Sequence, residues 1–159
     1  MAKTKRYYIA YGSNLNIRQM QIRCPGARAI GTSKLEDFRL MFKGSRSGFY
    51  LTVEPEEGCS VPVAVWEVTA ADERALDRYE GFPGLYRKKE FVLPVKDTES
   101  GKVRRRTVFA YIMHDGQPFG IPSHRYMETC AEGYRDFSFD IEVLLEAFAF
   151  SQKKAGVQE

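Results

Sequence analysis

Cysteine is scarce in this 159-residue chain: Cys24, Cys59 and Cys130 are odd in number and widely spaced. That argues against both a disulfide framework and a cysteine-based metal site. Histidine is scarcer still, and His114 and His124 are too few and too isolated to build a metal centre. We therefore expect neither a metal nor an organic cofactor. No apolar run approaches the ~18 residues of a membrane span, and no fixed-period repeat, low-complexity tract or long linker divides the chain. A single domain over residues 1–159, without a membrane partner, is the expectation. Dinucleotide-binding and P-loop fingerprints are missing. No Gly-x-Ser-x-Gly elbow supports Ser13 as a hydrolase nucleophile.

Charge of one sign is also in short supply. The 24 basic and 21 acidic side chains leave a net charge of +3, too little to argue for a nucleic-acid partner. The one basic patch, Lys102 to Arg106, reads as a solvated hairpin end leading into a strand. The basic start Met1 to Arg6 runs into an apolar strand pattern without a signal-peptide apolar region, so a cytoplasmic location is expected.

What is present is a core-forming composition, 43% hydrophobic and 13% aromatic. Six strands are expected, near residues 7–10, 35–42, 49–53, 61–68, 89–95 and 107–113. Gly44 to Gly48 reads as a flexible loop and Glu54-Pro55-Glu56-Glu57-Gly58 as a turn cluster. Helices are expected after Leu15 up to Cys24-Pro25-Gly26, from a Thr69/Asp72 capping box to Gly81, from a Ser123 cap to about Gly133, and along Ile141, Leu144, Leu145 and Phe148. Gln152 onward reads as a fraying tail. Mostly sequential strands, outnumbering the helices, predict an α+β fold.

Two stretches carry chemistry. Tyr11-Gly12-Ser13-Asn14-Leu15 joins a strand to a helical pattern, with Gly12 suited to a left-handed turn and Ser13 or Asn14 to a helix cap. Such a turn points backbone N–H groups at an anion. Glu80, in Tyr79-Glu80-Gly81-Phe82-Pro83-Gly84-Leu85-Tyr86, ends a predicted helix among apolar and aromatic neighbours. The helix dipole and partial burial both raise a carboxyl pKa, toward the range of a general acid/base.

Together these two motifs resemble the γ-glutamylcyclotransferase-like family, which includes the AIG2-like proteins, over roughly residues 6 to 150. The resemblance implies a small mixed β-barrel packed with helices. It also implies a small-molecule γ-glutamyl amide or amine as substrate, cyclised to 5-oxoproline with release of the free amine. Glu80 would be the catalytic acid/base; Tyr11, Gly12, Ser13, Asn14 and Leu15 would hold the substrate. Tyr86, Tyr111 and Tyr126 match tyrosines that line the pocket in that family. The alternative is a non-catalytic module keeping the same γ-glutamyl pocket. Monomer and homodimer both remain open.

Overall fold

The computed structural model describes residues 5–156. In chain order it contains β1 (Arg6–Ala10), a 3₁₀ turn (Ser13–Leu15), α1 (Ile17–Arg23), β2 (Arg28–Ser45), β3 (Gly48–Val68) and α2 (Ala70–Glu80). There follow β4 (Tyr86–Asp97), β5 (Val103–Met113), α3 (His124–Asp136) and α4 (Ile141–Ala155). The strands close into a barrel in the order β1-β3-β2-β4-β5. Neighbours are antiparallel except at the seam, where β1 meets β5 in parallel with Tyr8 opposite Phe109. The sheet is thus mixed, and side chains such as Ile9, Leu35, Val53, Val65 and Phe109 fill a core with almost no exposure.

The barrel has five strands and not six, because 49–53 and 61–68 belong to one strand, β3. The turn cluster between them does deflect the backbone, with Gly58 at φ 88. However, it does so as a bulge inside a continuing ladder. Pairing steps from Glu36 opposite Ser60 to Phe38 opposite Pro55, and the Gly58 N–H donates to Asp37 Oδ1 at 3.0 Å. Four residues of β3 are extruded against Asp37, which itself takes φ 61. A bulge of this kind bends the strand without ending it. The expected flexible loop at Gly44 to Gly48 is likewise shorter: β2 and β3 pair through Ser45 opposite Gly48, leaving a two-residue hairpin turn.

Local signals govern the helix ends. Thr69 and Asp72 form the reciprocal capping box of α2, and Gly81 closes it in the left-handed conformation at φ 64. The Ser123 side chain accepts from the Tyr126 N–H at the start of α3, which runs on to Asp136. Gly133 lies inside that helix, where a Cβ would stand 2.6 Å from Leu15 Cβ and 2.7 Å from the Asn16 N, so a glycine lets α3 press onto the 3₁₀ turn. The expected tail from Gln152 is helical through Ala155, and Ser151 is buried, its Oγ accepting from the Phe42 N–H at 2.8 Å. Residues 157–159 and 1–4, part of the expected tail and basic start, lie outside the described residues. Leu145 is 46% exposed, and the buried face of α4 runs instead through Leu144, Ala147 and Ser151. Among the described residues no helix is long and apolar enough to cross a membrane.

Candidate active site

The chain leaves β1 at Ala10 and turns at once into the 3₁₀ helix, so Tyr11 to Asn14 sit at the start of a helical segment. The N–H groups of Leu15 and Asn16 are taken by the carbonyls of Gly12 and Ser13, at 3.0 Å each. Those of Gly12, Ser13 and Asn14 precede the first such bond and have no partner within the turn. Two expectations for this loop are corrected. Gly12 has φ −133, not a left-handed value; what requires glycine is space, since a Cβ would stand 3.2 Å from Leu51 Cδ1 and 3.4 Å from the Tyr126 hydroxyl. The helix α1 is capped by Asn16, whose Oδ1 accepts from the Gln19 N–H at 3.1 Å, and not by Ser13 or Asn14.

Because Asn16 takes the cap, the side chains of Ser13 and Asn14 are available elsewhere. Ser13 Oγ lies 2.9 Å from the Tyr79 hydroxyl. Asn14 Nδ2 donates to the Tyr8 hydroxyl at 3.0 Å and lies 3.5 Å from Glu80 Oε1. The loop is fixed from behind by α3: Asn16 Nδ2 donates to the Thr129 carbonyl at 3.1 Å, and the Ile17 N–H to Asp136 Oδ2 at 3.0 Å.

Glu80 is the last residue of α2 and is partly buried. Burial raises its pKa to about 8, against the lowering pull of Arg23. Near neutral pH such a group carries a proton in an appreciable part of the population, and it is poised to exchange one. The cavity into which it faces has a volume of about 320 Å³. Nearly unexposed side chains line its floor, among them Tyr8, Tyr11, Asn14, Tyr86 and Tyr111. Ser47, Arg78 and the 43% exposed Tyr79 form its rim.

The tyrosines are tied into the barrel wall. Tyr86 donates to the Leu51 carbonyl at 2.8 Å, while the Leu51 N–H donates to the Tyr126 hydroxyl at 3.1 Å. Tyr11 donates to the Tyr111 carbonyl at 2.6 Å, and the Tyr111 hydroxyl to Asp77 Oδ1, also at 2.6 Å. Burial pushes the hydroxyl pKa of Tyr8, Tyr11, Tyr86, Tyr111 and Tyr126 upward, so all five stay neutral. Asp77 is balanced by Lys88 at 2.8 Å, which also meets Glu73 at 2.6 Å.

Of the residues singled out in the sequence, Glu80, Tyr11, Gly12, Ser13, Asn14, Tyr86, Tyr111 and Tyr126 all face this one cavity. Leu15 does not: its side chain has no exposure and packs in the core behind the loop, so its part is to anchor the turn. Sequence reasoning missed Tyr8, Tyr79 and Arg23. A tyrosine three positions before the loop could have been flagged, because a buried hydroxyl needs a partner. Nothing local marks Arg23. Among the described residues no group of three or more His, Cys, Asp and Glu stands close enough to hold a metal ion.

Several known proteins are similar to this chain. The family described as γ-glutamyl cyclotransferase, AIG2-like, matches residues 8–130. A γ-glutamylcyclotransferase of Homo sapiens is 30% identical over 146 residues, covering 85% of this chain and 73% of the human one. The γ-glutamylcyclotransferase of Mus musculus is 30% identical over 140 residues, covering 81% and 70% respectively. A solved γ-glutamyl cyclotransferase superposes with a TM-score of 0.75 at 24% identity, over 98% of this chain and 89% of that one. The yeast γ-glutamyl cyclotransferase specific to glutathione shares the fold with a TM-score of 0.63 at 10% identity, over 96% and 97% of the two chains. With a match that takes in both the loop at Tyr11 and the helix end at Glu80, the chain belongs to the γ-glutamyl cyclotransferase, AIG2-like family.

Proposed function

We propose that this protein cyclises the γ-glutamyl group of a γ-glutamyl amide or amine to 5-oxoproline, releasing the free amine, with Glu80 as the acid/base. The observation that carries the reading is a carboxyl with pKa raised to about 8 in the same cavity as a loop whose Gly12, Ser13 and Asn14 N–H groups have no partner within the turn. The substrate supplies its own nucleophile. Its α-ammonium gives a proton to the Glu80 carboxylate, and the freed amine attacks the γ-carbonyl carbon, forming the C–N bond of a five-membered lactam. As the tetrahedral centre collapses, the bond to the departing amine breaks, Glu80 returns its proton to that nitrogen, and the lactam nitrogen gives up its second proton to the freed amine, which leaves as an ammonium. One bond forms, one breaks, and the enzyme ends as it began.

The elevated pKa suits both halves of this cycle. A carboxylate of ordinary acidity would be a weak base toward an ammonium group and a poor proton source for an amine. The arriving α-ammonium is a cation and lowers the Glu80 pKa toward ionisation. Gly12, Ser13 and Asn14 hold the substrate α-carboxylate through the turn's free N–H groups. Tyr11, Tyr86, Tyr111 and Tyr126 supply a neutral wall that folds the glutamyl chain into its reactive shape. Intramolecular attack from a held conformation gains effective molarities of about 10⁵ to 10⁸ M, so positioning provides much of the rate.

The test is release of 5-oxoproline from a panel of γ-glutamyl amides and amines by wild type and Glu80→Gln. Wild type should release it, and the variant should lose about 10²- to 10⁴-fold in kcat while remaining folded. Equal activity in both would remove Glu80 as the acid/base. Binding of γ-glutamyl compounds without release by wild type would favour the non-catalytic module.

A further inference from the structure

We propose that Arg23, which does not line the cavity, is a positioning residue that fixes the Asn14 amide so that its nitrogen faces Tyr8 and Glu80. The proposal rests on the cyclotransferase reading above and adds to it a residue that never touches substrate. Arg23 is the last residue of α1. Its guanidinium Nη1 donates to Asn14 Oδ1, and its Nη2 donates to Gln19 Oε1 at 3.0 Å. The same group lies over the Tyr79 ring, with Cζ 3.4 Å from the ring centroid.

A guanidinium has five N–H donors and no acceptor. Whichever end of the Asn14 amide meets Arg23 must therefore be its oxygen. The other end is then a nitrogen, with one proton for the Tyr8 hydroxyl and the second turned to Glu80 Oε1. Were the amide reversed, its oxygen would confront the Glu80 carboxylate and repel the ionised form the reaction needs. Arg23 thus specifies which form of Glu80 the pocket favours. Tyr79 completes the clamp, since its ring carries the guanidinium while its hydroxyl meets Ser13 Oγ at 2.9 Å.

Arg23 has a second, through-space effect. The groups that feel the Glu80 charge or contact it are Tyr8 on β1, Tyr11 and Asn14 on the loop, Tyr79 on α2, Tyr86 on β4 and Arg23 on α1, and Arg78 of α2 lines the same cavity. Of these the Arg23 charge is the one that lowers the Glu80 pKa. The plainer role is a cation at a helix C-terminus, which any positive side chain would serve. Lysine keeps that role and the charge but loses the planar fork.

The experiment follows 5-oxoproline release against pH for wild type, Arg23→Lys, Arg23→Met, Asn14→Ala and the Arg23→Met/Asn14→Ala double variant. Arg23→Met should lower kcat about tenfold to hundredfold and move the acid limb of the pH profile to higher pH. Arg23→Lys should lose a comparable part of kcat while leaving the acid limb near its wild-type position. In the Asn14→Ala background, Arg23→Met should still move the acid limb but change the plateau kcat by less than about threefold, because the contact it serves has gone. Full activity in Arg23→Lys, or effects of Arg23→Met and Asn14→Ala that simply multiply, would overturn the proposal. A change in melting temperature alone, with kcat and pH profile intact, would reduce Arg23 to a helix-end cation. Measurable but Arg23-independent release leaves the cyclotransferase reading standing; no release by wild type from any substrate overturns both.

Discussion

Two of the concavities on the barrel make a contrast, and the larger of the pair is the less equipped for chemistry. One is the 320 Å³ tyrosine-lined cavity at Glu80; the other, about 840 Å³, is an apolar groove running past Phe38, Phe91, Leu93, Phe139 and Val143. The groove opens where β2 and β4 part company: they pair only at Gly31 opposite Asp97 and Thr32 opposite Lys96. Its ionisable neighbours Lys34, Glu36, Lys96 and Asp140 are all exposed. At the other site the Glu80 carboxyl is partly withdrawn from water, so its proton affinity becomes a property of the fold. Size is therefore a poor guide to function here, and the depth at which a titratable group is held is a better one.

The contrast can be pushed hardest through pH-dependent stability. The pKa of Glu80 rises from 4.5 to about 8 on folding, so between those values the folded chain keeps a proton that the unfolded chain releases. Stability must fall as pH rises through that window, and above it the whole cost of an ionised, partly buried carboxylate is carried. Glu80→Gln removes this dependence. Urea unfolding should find the variant no different from wild type near pH 4 and more stable near pH 9, by on the order of 2 kcal/mol after discounting for partial exposure.

Next in size is the reverse test. Phe91 meets Phe38 edge to face with ring centroids 5.5 Å apart. Phe91→Ala should cost about 1 to 3 kcal/mol of stability, yet leave the pH profile of 5-oxoproline release unchanged. A shifted profile would mean that groove and cavity are coupled through the barrel. The smallest effect is expected at Gly12. A methyl there must displace Leu51 and the Tyr126 hydroxyl by a few tenths of an ångström. Gly12→Ala should raise KM severalfold while moving the melting temperature by little.

Legibility in the sequence divides along similar lines. The strand-turn-helix at Tyr11, the capping box at Thr69, the stop at Gly81 and the cap at Ser123 are local devices, and each could be read from neighbouring residues. The continuity of β3 could not, because Glu54 to Gly58 has the composition of a turn and only pairing with the distant β2 shows a bulge. The glycine at position 12 was identified but for the wrong reason: its constraint comes from Leu51 and Tyr126, far along the chain. The cap at Asn16 was displaced by a 3₁₀ turn that periodicity does not register. Tyr8 looked like any core aromatic until Asn14 met its hydroxyl. Arg23 resembled an ordinary helix-end cation, and its contact with Asn14 arises only once α1 folds back against the loop.

The most direct measurement is a titration of the Glu80 carboxyl itself, by carbon-13 NMR of glutamate-labelled protein with Glu80→Gln identifying the resonance. A midpoint near 8 in the empty pocket is the predicted result. A midpoint near 4.5, the value of an unperturbed glutamate, would contradict the account, because Glu80 would then lack the proton affinity required to take a proton from an ammonium group and return it to a departing amine.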